Sequence, residues 1–274
     1  MRTLFILVSI LTGTTVLGLA WRDAKAAAEP GAALTGSARG EFLFQANCSI
    51  CHGKEGRGDG PAAGVLDPRP RNFRLGKYRL GTAQGPFPSE NDILETLRNG
   101  IPGTGMPAWR HIPADDLKLI ADFCMEVCRQ GMKESLLADG KVENAAEAEE
   151  VVHDLMVPEP PIEYPAEPQA DAESVARGSE LFSKNCANCH NQDGHGRQDP
   201  SWKTAEGYPL ASRDLRRGVF KGGRSGRAIF TRIYRGIPGT PMPGGKQMTG
   251  DQMWDVVHYV QSIINSDQPQ MAGR

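Results

Sequence analysis

An internal repeat limits what this chain can fold into more than any other feature. Cys48-Ser49-Ile50-Cys51-His52 returns 138 residues later as Cys186-Ala187-Asn188-Cys189-His190. The match extends upstream, where Arg39-Gly40-Glu41-Phe42-Leu43-Phe44 and Asn47 correspond to Arg177-Gly178-Ser179-Glu180-Leu181-Phe182 and Asn185. Downstream, RNGIPGTGMP (98–107) aligns with YRGIPGTPMP (234–243) at an offset of 136. The two-residue slip falls in intervening loops, where insertions cost least. Such a repeat predicts two similar units, and 274 residues suffice for two of about 100 each.

Two thiols three apart with a His immediately after read as a c-type haem attachment site. The thiols reach the vinyl groups of one haem and form thioethers, and the His is placed under the iron. Cys48, Cys51, Cys186 and Cys189 are therefore candidates for covalent attachment, and His52 and His190 for iron ligation, with two haem c groups in all.

In this pattern each half resembles a class I cytochrome c domain. Together they resemble the tandem dihaem cytochromes c of bacterial electron-transfer chains, over roughly residues 37–130 and 174–266. The resemblance implies a mostly α fold: two domains, each a few helices wrapped around one covalent haem. It implies that Met106 and Met242, in matched Ile-Pro-Gly-Thr-x-Met-Pro loops, bind iron opposite the His. A thioether raises the potential and fills the sixth position. The first helix of each half should cross the last through a Gly and an aromatic, Gly40 and Phe44 against Phe123, and Gly178 and Phe182 against Tyr259. A Pro carbonyl should orient the proximal His, with Pro61 and Pro200 as candidates. Arg71 and Arg213 are candidates for contacting propionates, surface Arg being the alternative. Tyr78 and Trp109 (first pocket) and Trp202 (second) are candidate walls, with ordinary packing the simpler account.

The final helices are visible in the residues. DDLKLIADFCMEV (115–127) carries a helical apolar stripe behind Pro113, and Asp251 to Ile264 carries another behind Thr249 as N-cap. There is little strand signal. Each unit is small for an autonomous core, so haem should supply the apolar centre.

The organisation predicted is 1–38 export segment, 39–138 first domain, 139–173 acidic Pro-rich linker and 174–274 second domain. The net charge of −2 divides unevenly, about +1 on 39–138, −10 on 139–173 and +6 on 174–274. The linker reads as a solvated spacer, extended after Val157, with 142–156 able to form a short helix. A docking strip for the basic second half is the alternative. Basic residues concentrate between Arg213 and Arg235, which suits an acidic redox partner, haem propionates or a solvated face. Nucleic acid binding fits poorly.

Cys124 and Cys128 remain, four apart. A disulfide requires the helix to end near Val127, because geometry within a regular helix suits it badly; two buried small residues are the equal alternative. His111, His153, His195 and His258 lack counterparts in the other half and are read as non-ligands.

A basic start, an apolar run from Leu4 to Trp21 and small residues at 24–28 form a secretory signal. The run also approaches bilayer-spanning length, so a retained anchor is the alternative. Either places both haem sites in the periplasm or on the outer face of the cytoplasmic membrane. The expected function is electron carriage between respiratory redox proteins. The alternatives are a haem subunit of a membrane oxidoreductase complex and, less favoured, a dihaem enzyme such as a peroxidase or thiosulfate-oxidising cytochrome. The matched Met loops disfavour the enzyme, which needs a displaceable ligand.

Overall fold

The structure, a computed structural model, describes residues 34–157 and 159–264. The Leu4–Trp21 run and the small-residue sites after it lie outside these residues.

In the first half, α1 (Gly36–Asn47) breaks at Cys48 and resumes as the single turn α2 (Ser49–His52). A long loop with a 3-10 turn at Phe73–Leu75 leads to α3 (Glu90–Asn99) and then α4 (Ala114–Ala138). Ser89 and Asp92 close a reciprocal capping box on α3. After α5 (Ala145–Met156) the same order returns: α6 (Ala172–Asn185), α7 (Ala187–His190), a 3-10 turn at Leu215–Arg217, α8 (Gly226–Arg235) and α9 (Gly250–Ser262). Thr249 and Gln252 box the start of α9. The second half adds an antiparallel hairpin, β1 (Gln198–Lys203) and β2 (Pro209–Ala211), where little strand was expected.

The helix crossings form as the residues predict. Gly40 lies against the Leu119 carbonyl and Gly178 against the Asp255 carbonyl, each closer than a side chain would allow. Beside them the rings of Phe44 and Phe123 stand 4.9 Å apart, and those of Phe182 and Tyr259 5.1 Å. Each crossing anchors its own core. Phe44, Leu117, Ile120 and Cys128 are buried in one, and Phe182, Phe230, Trp254 and Val257 in the other.

α4 does not stop near Val127 but runs on to Ala138. Cys124 and Cys128 therefore sit on continuous helix, where i,i+4 geometry suits a disulfide poorly. Both are buried free thiols. The extra turns exist because α5 packs along them, burying Ala148, Val152 and Met156, a seam at every fourth residue.

Within the 139–173 segment α5 forms where a short helix was expected, and it packs on α4. Glu149 of α5 pairs with Lys133 at 2.6 Å and with Arg129 at 3.7 Å, both on α4. Beyond α5 the chain runs beside residues 82–84, with Gln84 N–H donating to Pro160 O and Ile162 N–H to Thr82 O, both at 2.9 Å. Ile162 then enters the second core, and the Trp254 indole donates to Pro165 O at 3.1 Å. Pro160, Pro161, Pro165 and Pro168 lack an N–H, but their backbone still offers carbonyl acceptors, and those of Pro160, Pro161 and Pro165 accept from protein donors here. No helix among the described residues is long and apolar enough to cross a membrane.

Candidate functional site

Each half encloses a cleft lined by its own copy of the repeated residues. Cys48, Cys51, His52 and Met106 line the first; Cys186, Cys189, His190 and Met242 line the second. The clefts hold about 1240 and 1620 Å³ of atom-free space, part of it open to solvent. The predicted wall residues Tyr78 and Trp109 line the first cleft and Trp202 the second.

The two His side chains are oriented alike. His52 Nδ1 lies 3.1 Å from Arg71 O, and His190 Nδ1 lies 3.2 Å from Arg213 O. A carbonyl only accepts, so Nδ1 carries the proton and Nε2 is left with its lone pair, the state a metal needs. Burial lowers the pKa of both rings, against the opposing pull of that carbonyl, which keeps the imidazoles neutral. The acceptors are the Arg71 and Arg213 carbonyls, not those of Pro61 or Pro200. The 3-10 turns that follow, at Phe73–Leu75 and Leu215–Arg217, present them, each held by an acceptor side chain, Asn72 to Arg74 N–H and Asp214 to Arg216 N–H. The rings of His52 and Phe73 stack at 4.6 Å.

The Met loops are also built alike. Ile101 N–H donates to Met106 O and Ile237 N–H to Met242 O, both at 3.1 Å. Thr104 and Thr240 hydroxyls donate to the Ile101 and Ile237 carbonyls at 2.8 Å, and each accepts from its Met N–H at 3.1 and 3.3 Å. Gly100 and Gly236, at φ +65 and +67, let the loop close; a Cβ there would stand 2.7 and 2.6 Å from the Met106 and Met242 carbonyl oxygens.

The expected non-ligand histidines lie elsewhere. His111, His153 and His195 are exposed. His258 is buried behind the second cleft, with Ser174 Oγ 2.6 Å from its Nδ1. That hydroxyl donates to Asp255 at 2.7 Å, and Arg177 donates to the same carboxylate twice, at 2.8 and 2.9 Å.

Sequence reasoning missed the wall between the clefts. Arg79, Leu80 and Lys221 line both. Burial, then Arg79, Arg213 and Arg71, pull the Lys221 ammonium down to about 7, with Asp67 opposing. Burial and Arg71 likewise lower Arg79 to about 10. The Arg79 Nε and Arg232 Nη1 atoms are buried with no hydrogen-bond partner among the described residues. Buried cations without anions are costly. Their placement at the mouths of apolar clefts fits a ligand that is apolar in its body and carries carboxylates at its edge, as haem does.

The halves meet across this wall with reciprocal contacts. A Cβ on Gly103, in the first Met loop, would stand 3.3 Å from Arg213 Nη1; one on Gly239, in the second, would stand 3.7 Å from Arg71 Nη1. Arg71 also pairs with Glu206, at the tip of the β1–β2 hairpin, at 2.5 Å. Arg235 donates to Gly85 O at 2.8 Å.

Comparison with known proteins places both halves. Residues 175–263 match the family described as cytochrome c, and residues 36–123 the family described as cytochrome c oxidase, cbb3-type, subunit III. With the mostly helical fold, these matches place a cytochrome c fold in each half. The chain is 30% identical over 92 residues to the cytochrome bc1 complex cytochrome c subunit of Corynebacterium diphtheriae, covering 34% of this chain and 28% of that protein. It thus spans under a third of that relative's length. A chain of the Kuenenia stuttgartiensis reducing HAO-like protein complex superposes with a TM-score of 0.69 at 26% identity, covering 83% of this chain and 96% of that one.

Proposed function

We propose that the protein is a dihaem c-type cytochrome that carries electrons between redox proteins on the outer side of a bacterial cytoplasmic membrane. The observation that carries this reading is the matched pair of clefts, each bringing two Cys, a carbonyl-oriented His and a hydrogen-bonded Met loop to one cavity. Haem iron supplies a reversible one-electron Fe(III)/Fe(II) couple. Cys48 and Cys51, and Cys186 and Cys189, would hold the group by thioethers. His52 and His190 would present Nε2 to the iron, and Met106 and Met242 a neutral sulfur opposite. The Thr104 and Thr240 hydroxyls pin those Met loops, so the ligand set stays put whichever charge the iron carries. The shared residues Arg79, Leu80 and Lys221 put one cleft against the other, which suits electron exchange inside one chain. Exposed Arg217, Arg224 and Arg227 offer an acidic redox partner a cationic face. The N-terminal basic-apolar-small pattern supports export, with the signal cleaved or kept as an anchor.

A second reading, a haem subunit of a larger oxidoreductase, is favoured by the two relatives, both described as parts of complexes. Detergent-dependent co-purification of further subunits with the tagged chain distinguishes it from a free carrier.

The test is an optical redox titration of the haem-loaded chain together with haem quantitation and carbon monoxide addition to the reduced form. Two haems per chain, both at high potential and both refusing carbon monoxide, are expected. Carbon monoxide binding at one site removes that site's Met from the ligand set and moves the enzyme reading forward.

A further inference from the structure

The two clefts are unlike electrically. Arg69, Arg71, Arg79 and Lys221 line the first, and Asp92 with them. Arg79, Arg213, Lys221 and Arg232 line the second, with no carboxylate. Arg71 and Arg213 are counterparts, each giving its carbonyl to the proximal His of its own half. Their guanidinium groups are treated differently. Arg71 donates to Glu206 at 2.5 Å, with only 14% and 10% of the two side chains exposed. Among the described residues no carboxylate pairs with Arg213, on which Asp67 acts only through space. Glu206 reaches across from the second half because the β1–β2 hairpin carries it there, and the first half has no hairpin to return the contact.

We propose that Glu206 makes the first cleft the weaker electron acceptor, so that a single electron on the chain rests at the second. The inference rests on the two-haem reading above. Reduction lowers the charge at iron by one, so neighbouring cations favour the reduced form and a neighbouring carboxylate opposes it. A pair this little exposed is weakly screened by salt. Carboxylates belonging to the bound group are the same in both clefts and cancel in the comparison. The balance is internal: with one electron on the chain, the first site is left as Fe(III) and the second as Fe(II), with no outside oxidant or reductant. Glu206 touches no ligand atom and acts through Arg71, as a positioning and charge-setting residue.

The experiment is a spectroelectrochemical titration of the full haem-loaded chain, resolved into two one-electron steps. M106H and M242H assign the steps, because imidazole in place of thioether lowers the step of its own site. The lower wild-type step is expected to belong to the first cleft. E206Q should raise that step relative to the upper one by ~tenfold in the partition between sites, ~59 mV for one electron. E206D keeps the charge and should hold the lower step near wild type, which separates charge from mere packing. D199N, a half-buried carboxylate on the same hairpin that pairs with Arg197 at 3.0 Å, should move neither. A lower step that belongs to the second cleft, or an E206Q protein with two haems and an unmoved first step, overturns the proposal alone. Fewer than two haems per chain overturns the two-haem reading and this proposal with it.

Discussion

Gly178→Ala puts the helix-crossing argument at risk. A Cβ at this position would stand 2.6 Å from the Asp255 carbonyl carbon and 2.9 Å from Tyr259 Cβ, and closer still to the Asp255 oxygen. Ordinary contact begins at 3.4 Å, so the Asp255 backbone must recede by at least 0.8 Å. That backbone belongs to α9 and cannot rotate aside as a side chain would. Opening α6 from α9 by that much loosens the Phe182–Tyr259 contact along with it, and a gap of ~0.5–1 Å forfeits a quarter to a half of each dispersion contact. Overpacking costs ~1–3 kcal/mol, and contact with rigid backbone belongs at the upper end. Alanine returns ~1 kcal/mol through its better helix propensity. The net is a loss of ~2 kcal/mol. With a urea m-value of ~2 kcal/mol/M, the midpoint of the haem-loaded protein should fall by ~1 M, read by far-ultraviolet circular dichroism. Gly64→Ala is the control, since nothing lies within 4 Å of a Cβ there, and it should stay within ~0.5 kcal/mol of wild type. A G178A protein as stable as wild type, or more so, would show that propensity outweighs the crossing and would refute the reasoning.

Phe44→Ala removes a fully buried ring packed on Phe123 at 4.9 Å and Phe73 at 6.3 Å, and should cost ~3–5 kcal/mol by the same denaturation assay. Burial raises the Asp255 carboxyl, but the Arg177 guanidinium and Ser174 hydroxyl more than offset it and hold the group below the ordinary carboxylate value. Its contribution is therefore present above that ordinary value and is lost as pH falls through the lower, folded one, so Asp255→Asn should flatten the acid limb of the stability profile. Cys124 and Cys128 are buried thiols, the first pushed well up by burial and the second up to about 11, so iodoacetamide at pH 8 should label neither in the folded protein and both in urea, as read by mass spectrometry. Rapid native labelling of either would contradict the packing of α5 on α4.

The repeat that lines the clefts and the two helix crossings were legible because side-chain identity carries them: Cys, His, a Met between prolines and glycines, a Gly four residues before an aromatic. The carbonyls that orient His52 and His190 were not, because every residue has one and the side chain above it says nothing. The repeat spacing does hold a trace of what lies between. Arg71 and Arg213 are 142 apart where the cysteines are 138 apart, and the four added residues fall in the stretch that forms the hairpin carrying Glu206. The packing of α5 on α4 was hidden by composition. Ala148, Val152 and Met156 share a face, but they are outnumbered by acids that make the stretch read as spacer. Arg79 and Lys221 stand at the same 142-residue spacing as Arg71 and Arg213, so the repeat marks them as counterparts, but their meeting with Leu80 in one shared wall belongs to tertiary placement.

The reciprocal meeting of Gly103 with Arg213 and of Gly239 with Arg71 is the signature of an isologous face, the kind a two-fold dimer makes with itself. It describes two sequence-similar halves packed like face to like face within one chain. Because one chain holds both, a change on one side of such a face need not be answered on the other, and the hairpin found in the second half alone is such a change.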